Sequence, residues 1–451
     1  LEDMDGVLPP LERLLRDLRA GQGGELFSLA ILSDTPASEA AAREEAAVSA
    51  LAASFPPGAV LYRRRPRNTG WKAGNLMDFL DSAPGHAADF ALILDADSEM
   101  SAEAVRRLVH VMGADPRLAI LQPCVGARGA DTRFAAAFGF GHRYGARTWA
   151  TGQAWWQGPD GPYWGHNALI RVAPFREHAR LPILPGGAHI LSHDHAEAAL
   201  LHGAGWAVRV LPEDAGSAER HPPDLPAMFA RDLRWAAGNM QYRHLLRRRD
   251  MGRIGRMQMF QAMLHYLLTP LWFAPLPLAA LNVATGGAEG TPRWALVALL
   301  VMGFVTLHAP KLAGYAEALM REAGGAARMV REIGMATLLD SIAALDRTWT
   351  LVRLLTGVGR GWMPQPREGR GVAWGYAVRR FGTHTFVGLV LTVMFASGGV
   401  FPLIVAAPFL AGLVGVVPFA VLSGRQVAAS GEAPSPTLPR IAGEGEESRP
   451  V

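Results

Sequence analysis

The stretch FALILDADSEM, residues 90–100, is typical of a buried strand that ends in two carboxylates. Its apolar run from Phe90 to Leu94 has the length and composition of a strand covered on both faces, and Asp95 and Asp97 follow directly. A turn in which an aspartate caps the next helix explains an isolated D-x-D segment equally well. The choice between a capped turn and a ligand site therefore depends on the rest of the chain.

Apolar segments alternate with amphipathic helical segments on both sides of this stretch, up to about residue 240. The expected helices are 8–20, 38–53, 73–81 and 101–113, and the expected strands are 25–32, 59–63, 90–95 and 118–123. This alternation predicts an α/β domain with a mostly parallel sheet and helices on both faces. Ligands bind at the carboxyl ends of strands in such sheets, and the segment LFSLAILSDT ends there in Asp34. Carboxylates at one sheet edge suit Mg²⁺ or Mn²⁺ together with a nucleotide diphosphate.

Two further segments offer groups for an anion and for a proton. YRRRPRNTGWKAGNL, residues 62–76, carries five basic residues within ten positions and a Gly-containing turn into a helix, whose backbone N–H groups can bind an anion. A solvated basic loop is the alternative. ILSHDHAEAALL, residues 190–201, places Asp194 at a helix start, where an N-cap explains it equally well. Zinc is not expected at His193 and His195, because the soluble part has no second cluster at ligand spacing.

Beyond about residue 256 the composition changes to long uncharged runs. They predict a membrane region, 246–425, after a cytoplasmic domain, 1–245. About four spans are expected, at 257–286, 294–311, 384–400 and 402–423. Basic segments such as RHLLRRRDMGRIGR, residues 243–256, and the loop 312–383 place the N-terminal domain on the cytoplasmic side. In that loop an apolar stripe of Leu338, Ile342, Leu345, Trp349 and Val352 predicts a helix lying in the membrane interface.

Composition bounds the remaining possibilities. The single cysteine, Cys124, cannot form an intrachain disulfide, which fits a reducing compartment. The net charge is +4 and the basic residues crowd the membrane-proximal segments, which favours lipid headgroups and not nucleic acid as their partner. The tail 426–451 is expected to be disordered. The chain opens with a helical pattern where an α/β domain would open with a strand, so we expect its first strand to be missing.

The motifs occur together in the order of a known family. They are ILSDT, NTGWKAGN, ILDADSEM, YWGHNALIR, ILSHDHAEAALL, GWAVRVLPEDAGS, RDLRWAAGNMQ and GWMPQPR. This set resembles the membrane glucosyltransferases of osmoregulated periplasmic glucan synthesis, the glucans biosynthesis glucosyltransferase H type. They belong to the inverting glycosyltransferase family 2, together with cellulose synthase. The resemblance covers roughly residues 1–425 and implies a GT-A-like domain followed by transmembrane and interfacial helices.

The resemblance also implies a role for each matching residue. Asp194 falls on the position of the catalytic base, and Asp97 on that of the metal ligand. The nucleotide-binding positions are Asp34, Lys72, Asn75 and Asp95. The acceptor and channel positions are Trp164, His166, Arg231, Arg234 and Trp235. The family's GSYEE and RRWCQGN occur here as GSAER and LRWAAGN, which leaves acceptor-side details open.

The expected function follows from these roles. A cytoplasmic (inner) membrane enzyme of a bacterium would transfer glucose from UDP-glucose to a growing β-glucan, β-1,2-linked, with a divalent cation. An acyl carrier protein and a periplasmic glucan-processing protein are further implied partners. Two alternatives stay open: another processive β-glycan synthase, making a cellulose-like or hyaluronan-like polymer, and an inactive membrane protein that binds UDP-sugar without its first strand.

Overall fold

The computed structural model describes residues 4–290, 292–321, 324–357 and 371–427, and the motif GWMPQPR and most of the predicted tail lie outside them. The N-terminal domain contains nine strands and nine helices among these residues. Its elements in chain order are α1 Met4–Arg19, β1 Leu29–Ser33, α2 Glu39–Ala53, β2 Val60–Arg64, α3 Trp71–Leu80, α4 Ala83–His86, β3 Phe90–Ile93, β4 Glu99–Met100, α5 Ala102–Ala114, β5 Leu118–Pro123, β6 Gly126–Ala127, α6 Arg133–Gln157, β7 Ala168–Arg171, α7 Val172–His178, α8 Asp194–Gly203, β8 Ala207–Leu211, β9 Ser217–Glu219 and α9 Leu225–Gln241. The helices and strands predicted up to residue 123 are all present, with ends that differ by a few residues.

The strands form three sheets, and the expectation of a mostly parallel sheet is wrong. The main sheet has the order β3-β7-β5-β8, in which β7 runs antiparallel to both neighbours and only β5 and β8 are parallel. β1 and β2 form a separate parallel pair, and β4-β9-β6 form a small mixed sheet. The reversal arises at β7, because the long helix α6 and the loop after it let the chain re-enter between β3 and β5 in the opposite direction.

The main sheet is covered on both faces, as the apolar run of β5 predicts. All six residues of β5 are buried. On one face Leu118 and Leu121 pack against Leu108 of α5 and Leu14 of α1. On the other face the sheet packs against α3, α7 and α8, through residues that include Leu80, Phe175 and Leu201. This double cover fixes the strand ends that carry the polar residues of the site.

The C-terminal region is helical. Its helices are α10 Arg253–Leu267, α11 Thr269–Phe273, α12 Pro275–Ala284, α13 Arg293–Arg321, α14 Gly325–Leu355, α15 Trp374–Ser397 and α16 Val400–Ser423. Short 3₁₀ turns occur at Gly24–Leu26, Pro185–Gly187, Tyr242–His244 and Gly287–Gly290.

Within the described part of the chain, α13 over Arg293–Met320 and α16 are long and apolar enough to cross a bilayer. The pair Arg253–Leu267 and Thr269–Ala284 is bent by 40° and would form a third span if it crosses as one. The bend lies at Leu268, next to Pro270 in the first turn of α11, since proline lacks the N–H of a continuous helix. The segment expected at 384–400 lies mostly in α15, which ends at Ser397 and is not among the helices that are long and apolar enough to cross, so the count of four spans remains a prediction.

Helix α14 joins the two regions. It packs against α16 and α11 on the membrane side and against α6 and α9 of the N-terminal domain. Only part of its predicted apolar stripe is buried: Ile342 is inaccessible, whereas Trp349 and Val352 are 59% and 43% exposed. Arg347 instead forms an ion pair with the buried Asp232 of α9, with Nε 2.7 Å from Oδ2. The helix is therefore anchored to the N-terminal domain through charge as well as through apolar contact.

Candidate active site

Asp34 lies directly after β1, where the sequence places a ligand-binding carboxylate. Its two oxygens accept hydrogen bonds from Nε and Nη2 of Arg65, at 2.8 and 2.9 Å. Nη1 of the same guanidinium donates to Asp78 of α3 at 2.8 Å. The Arg65 side chain is 6% exposed and that of Asp34 is 21% exposed. Asp34 is thus held at the rim of the site by a buried arginine.

The turn into α3 is shaped by the same arginine. Arg65 donates to the backbone carbonyls of Thr69 and Trp71, at 3.0 and 3.2 Å. Gly70 and Trp71 both have positive φ, 72° and 56°. This conformation is rare for a tryptophan and is found where the surrounding structure enforces it, often at functional sites. The turn directs the first N–H groups of α3 and the side chain of Lys72 into the site.

Two of the basic residues in this segment point inward and not toward a ligand. Arg65 holds Asp34, and Nη2 of Arg63 donates to both the backbone and the side-chain oxygen of Asn75, at 2.7 and 2.5 Å. Nδ2 of the buried Asn75 donates to the Leu32 carbonyl of β1 at 3.3 Å. Asn75 therefore braces the nucleotide-side loop against β1. Arg63 and Arg65 therefore belong neither to an anion-binding cluster nor to a solvated loop.

Lys72 connects the carboxylates at the end of β3 with the loop that backs Asp194. Its ammonium forms an ion pair with Asp95 and donates to the Gly165 carbonyl at 2.7 Å. Gly165 has a φ of 84°, and a Cβ there would lie 3.5 Å from Cβ of Asp194 and 3.3 Å from His193. A side chain at this position would be strained by the positive φ, would press on His193 and would touch Asp194. One side of the candidate site is thus formed by Asp95, Lys72, Gly165 and Asp194.

A third carboxylate lies beside the D-x-D pair. Strand β9 pairs with β4, which begins just after Asp97, and this pairing brings Glu219 next to the pair. Burial raises the pKa of Glu219, and the charges of Asp97 and Asp95 raise it further, whereas His166 opposes that effect. The His166 Nδ1 lies 3.3 Å from Glu219 Oε2. The sequence analysis did not predict a role for Glu219, although it lies in the GSAER segment that the family comparison singled out.

Asp194 is the first residue of α8 and its side chain is 23% exposed. Burial opposes its ionisation, but the neighbouring His195 and His193 outweigh this and hold the pKa of Asp194 well below its usual range. The Nδ1 of His195 is 3.7 Å from Oδ1, and the hydroxyl of Tyr242 donates a long hydrogen bond of 3.4 Å to the same oxygen. At neutral pH Asp194 is therefore a carboxylate, the form that can accept a proton.

The histidine before Asp194 is fixed by a buried glutamate. The Nδ1 of His193 lies 2.8 Å from Oε2 of Glu197, whose side chain is 1% exposed. Burial would lower the pKa of His193, but the charge and hydrogen bond of Glu197 outweigh it and raise that pKa. Sequence reasoning missed Glu197, whose position four residues after a histidine at a helix start is the only available signal. The pair supports the backbone that presents Asp194.

Aromatic and basic side chains of α9 and α6 lie on the acceptor side. The guanidinium of Arg231 stacks 4.5 Å from the ring of Trp235 and 5.5 Å from that of Phe138. Trp235 is 49% exposed, so one face of its ring is available to a ligand. Phe138 also packs on the buried His221, whose ring nitrogens have no hydrogen-bond partner among the described residues. Neither Phe138 nor His221 was predicted as part of the site.

The remaining predicted residues are less central. Arg234 is half-buried on α9. Trp164 packs on Cys124, Ala150 and Val210, so much of its ring serves the core. It adjoins Gly165 in sequence, and its backbone N–H donates to Oε1 of Gln122 at 3.0 Å. The structure therefore brings the donor-side residues and Asp194 together, and places Trp164 at their edge.

The described residues contain no ready cluster of three or more metal-ligating side chains. Asp95 and Asp97 nevertheless offer hard oxygen donors two residues apart, and Glu219 lies close enough for their charges to raise its pKa. Mg²⁺ and Mn²⁺ suit one or two protein carboxylates when substrate phosphates complete the coordination shell. This donor set fits a divalent cation that binds together with its substrate, with Asp97 as the predicted ligand.

Sequence comparison now identifies the class of protein. Residues 90–308, which include both D-x-D carboxylates, Asp194 and the RW pair of α9, match the family model described as "Glycosyl transferase family group 2". The chain is a glycosyltransferase.

Curated relatives define the family more closely. The glucans biosynthesis glucosyltransferase H of Xanthomonas campestris pv. campestris is 33% identical over 452 residues, which cover 92% of this chain and 69% of the relative. That of Caulobacter vibrioides is 33% identical over 460 residues, 95% of this chain and 69% of the relative. The chain belongs to the glucans biosynthesis glucosyltransferase H family. Among solved structures, the mannosyltransferase PcManGT from Pyrobaculum calidifontis in complex with GDP-Man and Mn²⁺ is similar with a TM-score of 0.43 and 16% identity, over 71% of this chain and 85% of that one.

Proposed function

We propose that this protein transfers glucose from UDP-glucose to a growing β-glucan, β-1,2-linked, with inversion at the anomeric carbon, at the cytoplasmic side of the inner membrane. The observation that carries the proposal is the contact of Lys72 with Asp95 and with the Gly165 carbonyl, because Gly165 backs Asp194. This contact joins the donor-side carboxylates and the predicted base in one cleft of a GT-A-like domain.

The donor side would bind the nucleotide through residues at the ends of β1 and β3. Asp34, held at both oxygens by Arg65, would accept hydrogen bonds from the uridine. Lys72 and the N–H groups at the start of α3 would face the diphosphate, since cations and helix N-termini bind phosphate groups. Asn75 would act indirectly, because its side chain is used to brace this loop.

A divalent cation would be held by Asp97, with Asp95 beside it, and by the phosphates of the donor. When bound it would neutralise charge on the leaving diphosphate. Lys72 would contribute to the same end as a fixed positive charge. Glu219 would lie next to this pair and, through its contact with His166, extend the polar surface toward the acceptor.

Asp194 would act on the acceptor. Its carboxylate would take the proton from the attacking hydroxyl while that oxygen forms a bond to the anomeric carbon of glucose. The bond between this carbon and the diphosphate oxygen would break, and UDP would leave with the electron pair. Attack from the side opposite the leaving group inverts the configuration. The low pKa of Asp194 keeps the base ionised before the acceptor arrives.

The acceptor chain would lie along α9. The exposed face of Trp235, backed by Arg231, is suited to stacking on the apolar face of a sugar ring. His166, Arg234 and Trp164 would line the same path. The apolar helices α13 and α16 lie downstream and would carry the path through the bilayer. An acyl carrier protein and a periplasmic glucan-processing protein would be partners of the assembled enzyme.

Membranes that contain the full-length protein, supplied with radiolabelled UDP-glucose and Mg²⁺ or Mn²⁺, test this proposal. We expect incorporation into a polymer whose linkage analysis gives β-1,2-linked glucose. Asp194→Asn should abolish incorporation and retain UDP binding, and Asp89→Asn, at an exposed position before β3, is the matched control. Incorporation only from another sugar nucleotide, or a β-1,4-linked product, would show a different β-glycan synthase. UDP-glucose binding without any transfer would support the inactive alternative.

A further inference from the structure

A second cavity, of about 250 Å³, lies at the end of α8 away from Asp194. It is bounded by the end of α8, by β8 and by the turn before β5. The residues that matter for its chemistry are Asp115, Arg117, Asp160, His202, Trp206 and Arg209. His202 follows Asp194 by more than two helical turns, so the two side chains are separated by about 12 Å along the helix. The cavity is therefore distinct from the cleft that contains the D-x-D pair.

His202 lines this cavity and is buried beside Asp160 and the Gly161 backbone. The residue is 9% exposed, and neither of its ring nitrogens has a hydrogen-bond partner among the described residues. Burial lowers the pKa of His202 and outweighs the opposing effects of the Asp160 charge and the Gly161 backbone, so its imidazole is neutral and offers one donor and one acceptor. Gly255 of α10 packs closely against it, and a Cβ there would lie 3.1 Å from Nδ1. A buried polar group with poorly formed hydrogen bonds is costly, and a ligand in the cavity would relieve that cost.

Two carboxylates and two guanidinium groups surround His202, so their formal charges cancel. Asp115 and Arg117 form a loose ion pair, with Nε 3.9 Å from Oδ1. No hydrogen bond or ion pair within the described ranges is found for the carboxylate of Asp160 or the guanidinium of Arg209. Two carboxylates disfavour an anion such as phosphate, and two guanidinium groups disfavour a cation. What remains is a set of strong donors and acceptors around an uncharged imidazole.

Trp206, the aromatic residue that lines the cavity, indicates which class of neutral ligand fits. Trp206 is half-buried, and its neighbour Ala207 begins β8. A tryptophan ring gives a flat apolar surface, and planar carboxylate and guanidinium groups suit pairs of adjacent hydroxyl groups. We propose that this cavity is a second carbohydrate site, which binds a neutral glucose unit or the end of a β-glucan apart from the transfer cleft. The proposal does not depend on which donor or linkage the transfer reaction uses.

Ligand-observed NMR on the full-length protein in lipid nanodiscs tests this site. The probes are methyl β-D-glucoside and a β-1,2-linked diglucoside, in the presence of excess UDP and Mg²⁺. We expect binding to the wild-type protein, and about tenfold weaker binding to Asp160→Asn and to Arg209→Ala, because each removes a charged hydrogen-bonding group. Asp89→Asn and Arg43→Ala, at exposed positions away from the cavity, are the matched controls and should bind like wild type.

Two further variants separate this site from the transfer reaction. Trp235→Ala, on the acceptor path, and Asp194→Asn, which lacks the proposed base, should both retain wild-type binding of the probes. Loss of probe binding in Trp235→Ala, or unchanged binding in both Asp160→Asn and Arg209→Ala, would overturn the proposal. So would absence of sugar binding to the wild-type protein, or displacement of the sugar by inorganic phosphate or glycine, which would indicate an ion-binding site.

Discussion

Arg65 holds Asp34 at both carboxylate oxygens, with nitrogen–oxygen distances of 2.8 and 2.9 Å. The same guanidinium contacts Asp78 of α3 and two carbonyls of the turn between them. One buried side chain thus sets the position of a donor-side carboxylate and the start of the helix that carries Lys72.

Replacement of Arg65 should damage both stability and nucleotide binding. Arg65→Ala leaves the carboxylate of Asp34 without its partner, and breaking a buried ion pair typically costs about 3–5 kcal/mol. Because Asp34 keeps some exposure, we expect the lower end of that range, measured as a fall in thermal unfolding temperature in detergent. Binding of UDP should weaken as well. Arg67→Ala, at an exposed position two residues later, is the control, and equal effects of the two substitutions would contradict the role of Arg65.

Glucose transfer should require a divalent cation, and Asp97 should help to bind it. Chelation with EDTA should abolish glucose incorporation, and Mg²⁺ or Mn²⁺ should restore it. Asp97→Asn removes one of the few protein oxygens available to the metal, so it should raise the concentration of cation needed for half-maximal activity by about tenfold or more. The readout is a cation titration of incorporation. An unchanged titration in Asp97→Asn would remove this residue from the metal site.

The contribution of the His193–Glu197 pair to stability should depend on pH. The pKa of His193 is raised in the folded protein, so the contribution is fully present below the unfolded histidine value of about 6.5 and is lost as pH rises through the raised pKa. The difference in unfolding temperature between wild type and Glu197→Gln should therefore be larger near pH 6 than near pH 9. A difference that is constant over this range would show that the imidazolium is not stabilised by Glu197.

Cys124 should be inert in the folded protein. It is 3% exposed, and burial together with the charge of Asp214 raises the pKa of its thiol to about 12. The thiolate, which is the reactive form, is therefore nearly absent at pH 8. Iodoacetamide should label Cys124 only after denaturation, as measured by mass spectrometry. Rapid labelling of the native protein would indicate that the core around Trp164 opens readily.

Asp232 and Arg347 should contribute to thermal stability as a coupled pair and not as two independent side chains. Asp232→Asn should lower thermal stability because it leaves a largely buried guanidinium without its counter-charge. The double variant Asp232→Asn with Arg347→Met should recover part of that loss, since it removes the charge as well. Unfolding temperatures of the two single variants and the double variant measure the coupling. Additive losses would show that the two side chains do not interact.

The sequence predicted those parts of the fold that depend on local patterns. The apolar run of β5 and the periodic helices of the first domain indicated their positions within a few residues, whereas the break after Leu267 was not predicted although Pro270 lies beside it. Strand β7 was not predicted, because its three apolar residues are too short a run to mark a strand and carry no information about direction. Glu219 and Glu197 were missed for a similar reason. Their proximity to Asp97 and Asp194 arises from pairing and packing, and their spacing in the chain gives little sign of it.

Helix α14 has a mechanical consequence. It packs tightly against α16, where a Cβ on Gly412 would lie 2.2 Å from the Leu338 carbonyl oxygen, and it is also tied to α9 by Arg347. A helix held in this way opposes rotation of the N-terminal domain relative to the C-terminal helices. Advance of the polymer by one sugar per cycle would then have to come from movement of side chains and short loops around a stationary frame.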